Sequence, residues 1–209
     1  LSAGPPQVAQ VTQYTRNQLG LVCTVTDPMG RETRFSYGDN SCVAGSGIDL
    51  AKVEQKNGGV YDVVQSFSYN GQHLPLTSTD GAGQTTTYTY NAAGQLATIT
   101  TPPRAGYPAN EDRTTTYTYD SNTGDLLSVV SPGAVSASFT YDAYGRMRTI
   151  TNNDNDTTTY DYDLFDRLTR TTHPNASYEE YVYDRLDVSR SRDRLGRWTE
   201  MLHDPLRRL

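Results

Sequence analysis

The sequence predicts an all-β fold, an array of antiparallel β-hairpins with a period of about 21 residues. Three observations carry this. The tetrapeptide aromatic-x-Tyr-Asp/Asn recurs along the chain: FSYN at Phe67, YTYN at Tyr88, YTYD at Tyr117, FTYD at Phe139, YDYD at Tyr160 and YVYD at Tyr181. Turn-forming Gly, Pro, Asn and Asp return about every ten positions, the spacing expected of short strands joined by tight turns. No segment sustains apolar residues at i, i+3, i+4 and i+7 over three turns, so no helix is predicted.

Each unit reads in the same order. The aromatic pair ends one strand, and a short turn follows, as in Ala92-Ala93-Gly94-Gln95 before Leu96. An alternating strand comes next, such as Leu96 to Thr100, and then a second turn, as in Asp80-Gly81-Ala82-Gly83 or Ser131-Pro132-Gly133. A Thr-rich strand, for example Thr85 to Tyr90, leads into the next aromatic pair. With a weaker copy at Phe35 to Gly38, the second aromatics fall at 37, 69, 90, 119, 141, 162 and 183. The steps are 32, 21, 29, 22, 21 and 21; insertions at 38–47 and 102–112 account for the two long ones. The whole of 1–209 reads as one continuous repeat region.

Composition agrees with strands. Leu, Ile, Val and Phe make up only about 18% of the 209 residues, below the level usual for globular chains. The net charge is only −6, however, and 16 Tyr with 29 Thr stand in for the missing aliphatics. Both residue types suit a pleated, half-buried surface. An isoelectric point near 5.0 without a basic block argues against nucleic acid as the main partner. No apolar run approaches the length of a membrane-spanning helix, and the first residues lack the charged and apolar regions of a signal peptide. The absence of an initiator Met leads us to expect a piece of a longer polypeptide.

In a strand, residues i and i+2 share a face. Phe35 with Tyr37, Phe67 with Tyr69, Tyr88 with Tyr90, Tyr117 with Tyr119, Phe139 with Tyr141, Tyr160 with Tyr162, and Tyr181 with Tyr183 thus each present two rings together. These residues are the expected structural repeat motif, and stacked from unit to unit they would form an aromatic ladder. The threonines between them would line the opposite, hydrated face.

The motif resembles that of the Rhs/YD-repeat family, roughly Tyr-Asp-x-x-Gly-Arg-Leu followed by a strand and a turn. Tyr141-Asp142-Ala143-Tyr144-Gly145-Arg146-Met147 departs from it only in Met147, and Tyr162-Asp163-Leu164-Phe165-Asp166-Arg167-Leu168 only in Asp166. The resemblance covers about Leu19 to Leu209. It implies a curved sheet spiralling into a hollow shell around a C-terminal toxin or effector domain, as in bacterial Rhs effectors and insecticidal toxin complexes; teneurins carry a related shell. About 16 strands at about 4.8 Å spacing supply roughly 77 Å of sheet, less than one turn around a guest about 40 Å across. The segment that carries the family's aspartyl protease residues has no match here.

Other chemistry is thin. Asn152 to Asp156 is rich in oxygen ligands, but a calcium loop wants a Gly where Thr157 stands, and the cluster falls in a turn slot. His73, His173 and His203 have no second His or Cys at zinc-ligand spacing. There is no G-x-S-x-G. We therefore expect no enzyme, no metal and no cofactor. Cys23 and Cys42 leave two readings open: a bridge stapling the 38–47 insertion to its hairpin, worth roughly 3 kcal/mol, or two unpaired small side chains. Arginines from Arg185 onward leave a guest or membrane contact as one reading; the simpler one is the repeat's own Gly-Arg-Leu slot and pairing with Asp184, Asp187, Asp193 and Asp204.

The leading expectation is a structural wall segment of a bacterial Rhs/YD shell that sequesters a toxic cargo, secreted or in the cell envelope. Its partners would be further repeats of the same polypeptide, other copies, and an enclosed effector. The alternative is a surface module that binds glycans or a partner protein. The last segment, His203 to Leu209, reads as the start of a further unit and leaves Gly196 to Leu202 as an edge expected to seek a partner strand.

Overall fold

A computed structural model describes residues 10–38, 42, 47–103 and 113–204. The chain divides into two compact units, Leu1–Arg113 and Thr114–Leu209. The first holds β1 (Gln13–Arg16), β2 (Val22–Thr26), β3 (Glu32–Tyr37), β4 (Leu50–Asn57), β5 (Val60–Tyr69), β6 (Pro75–Asp80), β7 (Thr85–Tyr90) and β8 (Leu96–Thr100). The second holds β9 (Thr114–Tyr119), β10 (Leu126–Ser131), β11 (Val135–Tyr141), β12 (Met147–Asn152), β13 (Thr157–Tyr162), β14 (Leu168–Thr172), β15 (Tyr178–Asp184), β16 (Asp187–Arg192) and β17 (Trp198–Glu200). Within each unit every strand pairs antiparallel with the next, so each is a meander of hairpins. Among the described residues the only helical element is a three-residue 3-10 turn, Pro132–Ala134. The all-β hairpin array read from the sequence is the fold.

Neither unit has a closed core. Among the described residues only Tyr37 and Ala51 are buried apolar side chains, and none of any type is fully buried. Stability must come from the ladder hydrogen bonds and from neighbours on the same face, the unit of stabilisation in a sheet.

The insertion at 38–47 explains only part of its long step. Tyr37 pairs with Leu50, whereas Tyr69 pairs with Pro75 and Tyr90 with Leu96. The rest of the surplus lies in β4 and β5, at eight and ten residues longer than the usual five to seven, closed at Gly58-Gly59. Most of this insertion and most of the other, 104–112, lie outside the described residues. The ends of the second insertion are held together, Thr101 N–H donating to Arg113 O at 3.1 Å. The expected edge over 196–202 is shorter, Trp198–Glu200, and Pro205 to Leu209 lie outside the described residues.

Candidate functional site

The repeated Tyr-Asp corner is the site with a defined geometry, and it is built from the aspartate outward. Asp142 Oδ1 accepts from the backbone N–H groups of Tyr144 (2.9 Å) and Arg146 (3.1 Å). Asp142 N–H donates to Arg146 O, and Gly145 N–H to Asp142 O, closing the turn. A short side chain with a lone acceptor oxygen at this position can therefore satisfy two donors that the strands leave free, which is why Asp and Asn share the slot. Asn17, Asn70, Asn91 and Asp163 make the same pair of bonds. So do Asp27, Asp80, Asn152 and Asp193 in turns at the other ends of the strands. Asn152–Asp156 is thus one more copy of this turn.

The corner needs one residue in the left-handed region. Gly145 sits at φ 78°, where a glycine has no Cβ to clash. Asp166 takes that place at φ 61°, which accounts for the sequence tolerating a non-glycine in the second full motif.

The tyrosine explains the other half of the motif. Tyr37 Oη donates to Val22 O (2.9 Å), Tyr69 to Leu50 O (3.1 Å) and Tyr90 to Pro75 O (2.8 Å). Tyr141 donates to Leu126 O (3.0 Å) and Tyr183 to Leu168 O (2.8 Å). Each hydroxyl thus reaches across to the first residue of the neighbouring strand, the one that closes the preceding Tyr-Asp hairpin. Burial holds the Tyr37, Tyr69, Tyr90 and Tyr141 hydroxyls above their ordinary pKa, so they remain donors. Each tyrosine also sits beside a bulge. Tyr141 pairs with Met147 while Thr140 pairs with Thr149, leaving Arg148 as the extra residue, and the same shift follows Tyr37, Tyr69, Tyr90, Tyr162 and Tyr183.

The first aromatics Phe35, Phe67, Tyr88, Tyr117, Phe139, Tyr160 and Tyr181 lie half-buried on the same face, as do Tyr119 and Tyr162. They do not form the expected ring-on-ring ladder. Among the described residues the one ring pair is Phe67–Tyr69, within a single strand, with centroids 6.5 Å apart. Equivalent rings in successive units are two strands, about 9.6 Å, apart, beyond the roughly 4.5–7 Å of an aromatic pair. Arginines fill the gap. Arg146 lies 4.9 Å from the Tyr162 ring centre and Arg167 lies 4.1 Å from that of Tyr183. The same guanidiniums reach back to the corner, Arg146 Nε donating to Asp142 Oδ2 (2.8 Å) and Arg167 Nε to Asp163 Oδ2 (2.7 Å). Those bonds hold the Asp142 and Asp163 carboxyls below their ordinary pKa. Nothing in the sequence spacing signals an arginine bridging two units; only the motif's Arg slot hints at it.

On the opposite face hydroxyls pair across strands: Ser68 with Thr77 (2.6 Å), Thr89 with Thr98 (2.7 Å) and Thr140 with Thr149 (2.7 Å). In the first unit this face carries an ionic cluster that the sequence reading missed. Tyr61 Oη donates a short bond to Glu32, Lys56 Nζ lies 3.2 Å from the same carboxylate, and Arg34 pairs with Glu54 at 2.8 Å while stacking 4.0 Å over Tyr61. The Tyr61 bond, then Lys56, keep the Glu32 carboxyl ionised, and Glu32 keeps Tyr61 protonated. A general acid or base poised near neutral pH needs the opposite shifts.

Cys23 and Cys42 are joined by a disulfide, with Cα atoms 5.6 Å apart. Cys23 is the bulged residue of β2, skipped between the pairs Arg16–Val22 and Thr15–Thr24. His73 takes a glycine-like position at φ 63° and its Nδ1 lies 2.8 Å from Asp49 Oδ2. His173 occupies the Asp slot of its turn. Of the C-terminal arginines, Arg197 pairs with Asp193 as expected; Arg192 instead stacks 3.7 Å over Tyr178, opposite Arg170 at 3.6 Å.

The profile of the RHS Repeat matches residues 69–102 and 141–178, the segments in which these corners recur. These two segments are RHS repeats. No curated protein sequence matches it. Its fold is similar to chains in three crystal structures: TcdB2-TccC3-Cdc42 and TcdB2-TccC3, each with a TM-score of 0.68 at 19% identity, and TcdB2-TccC3 without its hypervariable C-terminal region, at 0.68 and 18%. Each likeness covers 88% of this chain and 10% of the other, so the RHS-repeat chain spans about a tenth of the solved chains it resembles.

Proposed function

We propose that this chain is a wall segment of an Rhs-type shell, one continuous run of repeats within a longer polypeptide that encloses a toxin or effector domain. The observation that carries the reading is the corner itself. Its repeated chemistry is spent on the backbone and on the neighbouring hairpins: the aspartate on turn N–H groups, the tyrosine on a carbonyl of the preceding hairpin, the arginine on the following tyrosine. Such a unit extends a sheet and performs no catalysis. The likeness to TcdB2-TccC3, one structure of which is described as being without its hypervariable C-terminal region, supports a scaffold that outlasts changes of cargo. The Cys23–Cys42 bond supports a secreted or envelope location, since such bonds persist in oxidising compartments. The decisive experiment is to express the natural reading frame that contains these residues and image it. A hollow body with protein density inside supports the proposal; an open sheet with no enclosed density, or glycan binding by the RHS-repeat segment, favours the adhesion reading.

A further inference from the structure

The Tyr-Asp ends of β11 to β16 form a rim that is apolar at its tips. Tyr144 is 74% exposed, Leu164 89%, Phe165 76% and Leu186 66%, all on successive turns. The other ends of the same strands turn at Asn153-Asp154, Pro174-Asn175 and Arg194-Leu195, where Leu195 is the one large apolar residue. The exposed rings are also anchored. Arg146 sits 5.0 Å from the Tyr144 ring centre and Arg167 lies 5.4 Å from that of Phe165, so each ring keeps one face for contact. Beyond the last of these turns lies a groove of about 690 Å³, lined by Leu186, Met201 and Leu202 with Arg190, Glu200 and His203 at its sides. Large apolar side chains repeated at the tips of one rim, beside a groove whose apolar residues sit among charged ones, are surface of the kind that serves as an interaction site.

We infer that this rim pairs with the same rim of a second copy of the chain about a two-fold axis. The order along it is turn 142–146, turn 163–167, turn 184–187, then segment 201–204. An axis between the two middle turns sets each feature opposite its complement. Tyr144 of one copy enters the groove of the other, Phe165 meets Leu186, and Asp166 faces Arg185. Reciprocal contact of this sort is what an isologous interface requires. Asp166 is 76% exposed beyond its contact with Arg146, and Arg185 has no ion pair among the described residues, so both charges are available. Three hairpin intervals make a contact about 29 Å long. At the thickness of a single sheet this buries well under about 1,200 Å² in all, so the dimer is weak and reversible.

Sedimentation velocity over a concentration series tests this on the intact chain. The expected result is a reversible monomer–dimer equilibrium that Tyr144→Asp with Phe165→Asp abolishes without changing the melting temperature, while Met29→Asp at an equally exposed turn leaves it intact. A wild-type chain that stays monomeric overturns the inference. So does a double variant that still dimerises, which would assign association to the β17 edge. Should the double variant not fold, a photo-crosslinking phenylalanine at position 144 decides: crosslinks to residues 186–203 of another copy are expected, and crosslinks elsewhere or none refute the pairing.

Discussion

The corners of the first unit at 70–74 and 91–95 build the same turn as those of the second at 142–146 and 163–167, with different chemistry. Asn70 and Asn91 accept the two backbone N–H groups at 2.9–3.0 Å, as Asp142 and Asp163 do at 2.8–3.1 Å. Asn91 Nδ2 even donates to Gln95 Oε1 (2.9 Å), a neutral counterpart of the Asp142–Arg146 pair. Charge is therefore not what makes the turn. What the second unit adds is the guanidinium that leaves its own corner and lies on the tyrosine of the next. The first unit has the tyrosine hydroxyl bond that both units share, without that guanidinium, and at its far end the disulfide and the Glu32–Tyr61 cluster.

Removing the covalent tie should have the largest effect. Cys23→Ser with Cys42→Ser is expected to cost the first unit about 3 kcal/mol, from the loss of a cross-link between residues 19 apart, read by denaturant unfolding. An unchanged midpoint would show that the bond is not present in the folded protein.

Tyr90→Ala and Tyr162→Ala probe the two ways of tying hairpins together. Both rings are half-buried, so each loss should be about 2–3 kcal/mol rather than the roughly 3–5 expected for a buried aromatic. Tyr90→Phe should cost about 1 kcal/mol through its carbonyl bond. A fully silent Tyr90→Phe would leave the hydroxyl without a role in the first unit.

How much of this was legible in the sequence follows from what each signal reports. The hairpins were readable because turn residues and alternation act locally, within one or two strands. The aspartate's slot in the turn was readable for the same reason. The ladder expected from Tyr88, Tyr90 and their repeats failed because sequence periodicity says which face a ring takes but not the distance across two strands. The bulge after each Tyr, the hydroxyl's carbonyl partner and the Arg–Tyr bridge all depend on register, which a one-residue shift redefines. The Glu32–Tyr61 pair joins residues 29 apart in sequence, with no motif to announce it.

The left-handed turn position has a smaller effect, tested at two turns of the second unit. Gly145→Ala should cost about 1–2 kcal/mol, since open space surrounds a Cβ there and only the backbone objects. Ala176→Gly, at φ 62°, should stabilise by up to about 1 kcal/mol. Thermal melting that moves both variants in the same direction would contradict the turn geometry.

Acid should act on the carboxyls that the fold holds ionised, Asp142 and Asp163 in the charged corners among them. The Asp142 and Asp163 carboxyls are held below their ordinary value of 3.8, chiefly by the bonds from Arg146 and Arg167. A carboxyl depressed in the folded state contributes stability above its unfolded pKa and loses it as pH falls through the folded one. Melting of the second unit should therefore hold steady down to about pH 5 and decline below about pH 4. Asp142→Asn with Asp163→Asn keeps the turn acceptor and should flatten that decline; an equally steep decline would place the acid sensitivity elsewhere.

The central claim is that motif side chains of one hairpin hold the next. The most direct measurement is a double-mutant cycle between Arg167 and Tyr183, using Arg167→Gln and Tyr183→Leu, which lie in successive hairpins of the second unit. The predicted result is a favourable coupling of about 0.5–1 kcal/mol, the worth of a half-exposed cation over a ring. Strictly additive losses would mean that the two hairpins stand independently and would contradict the account.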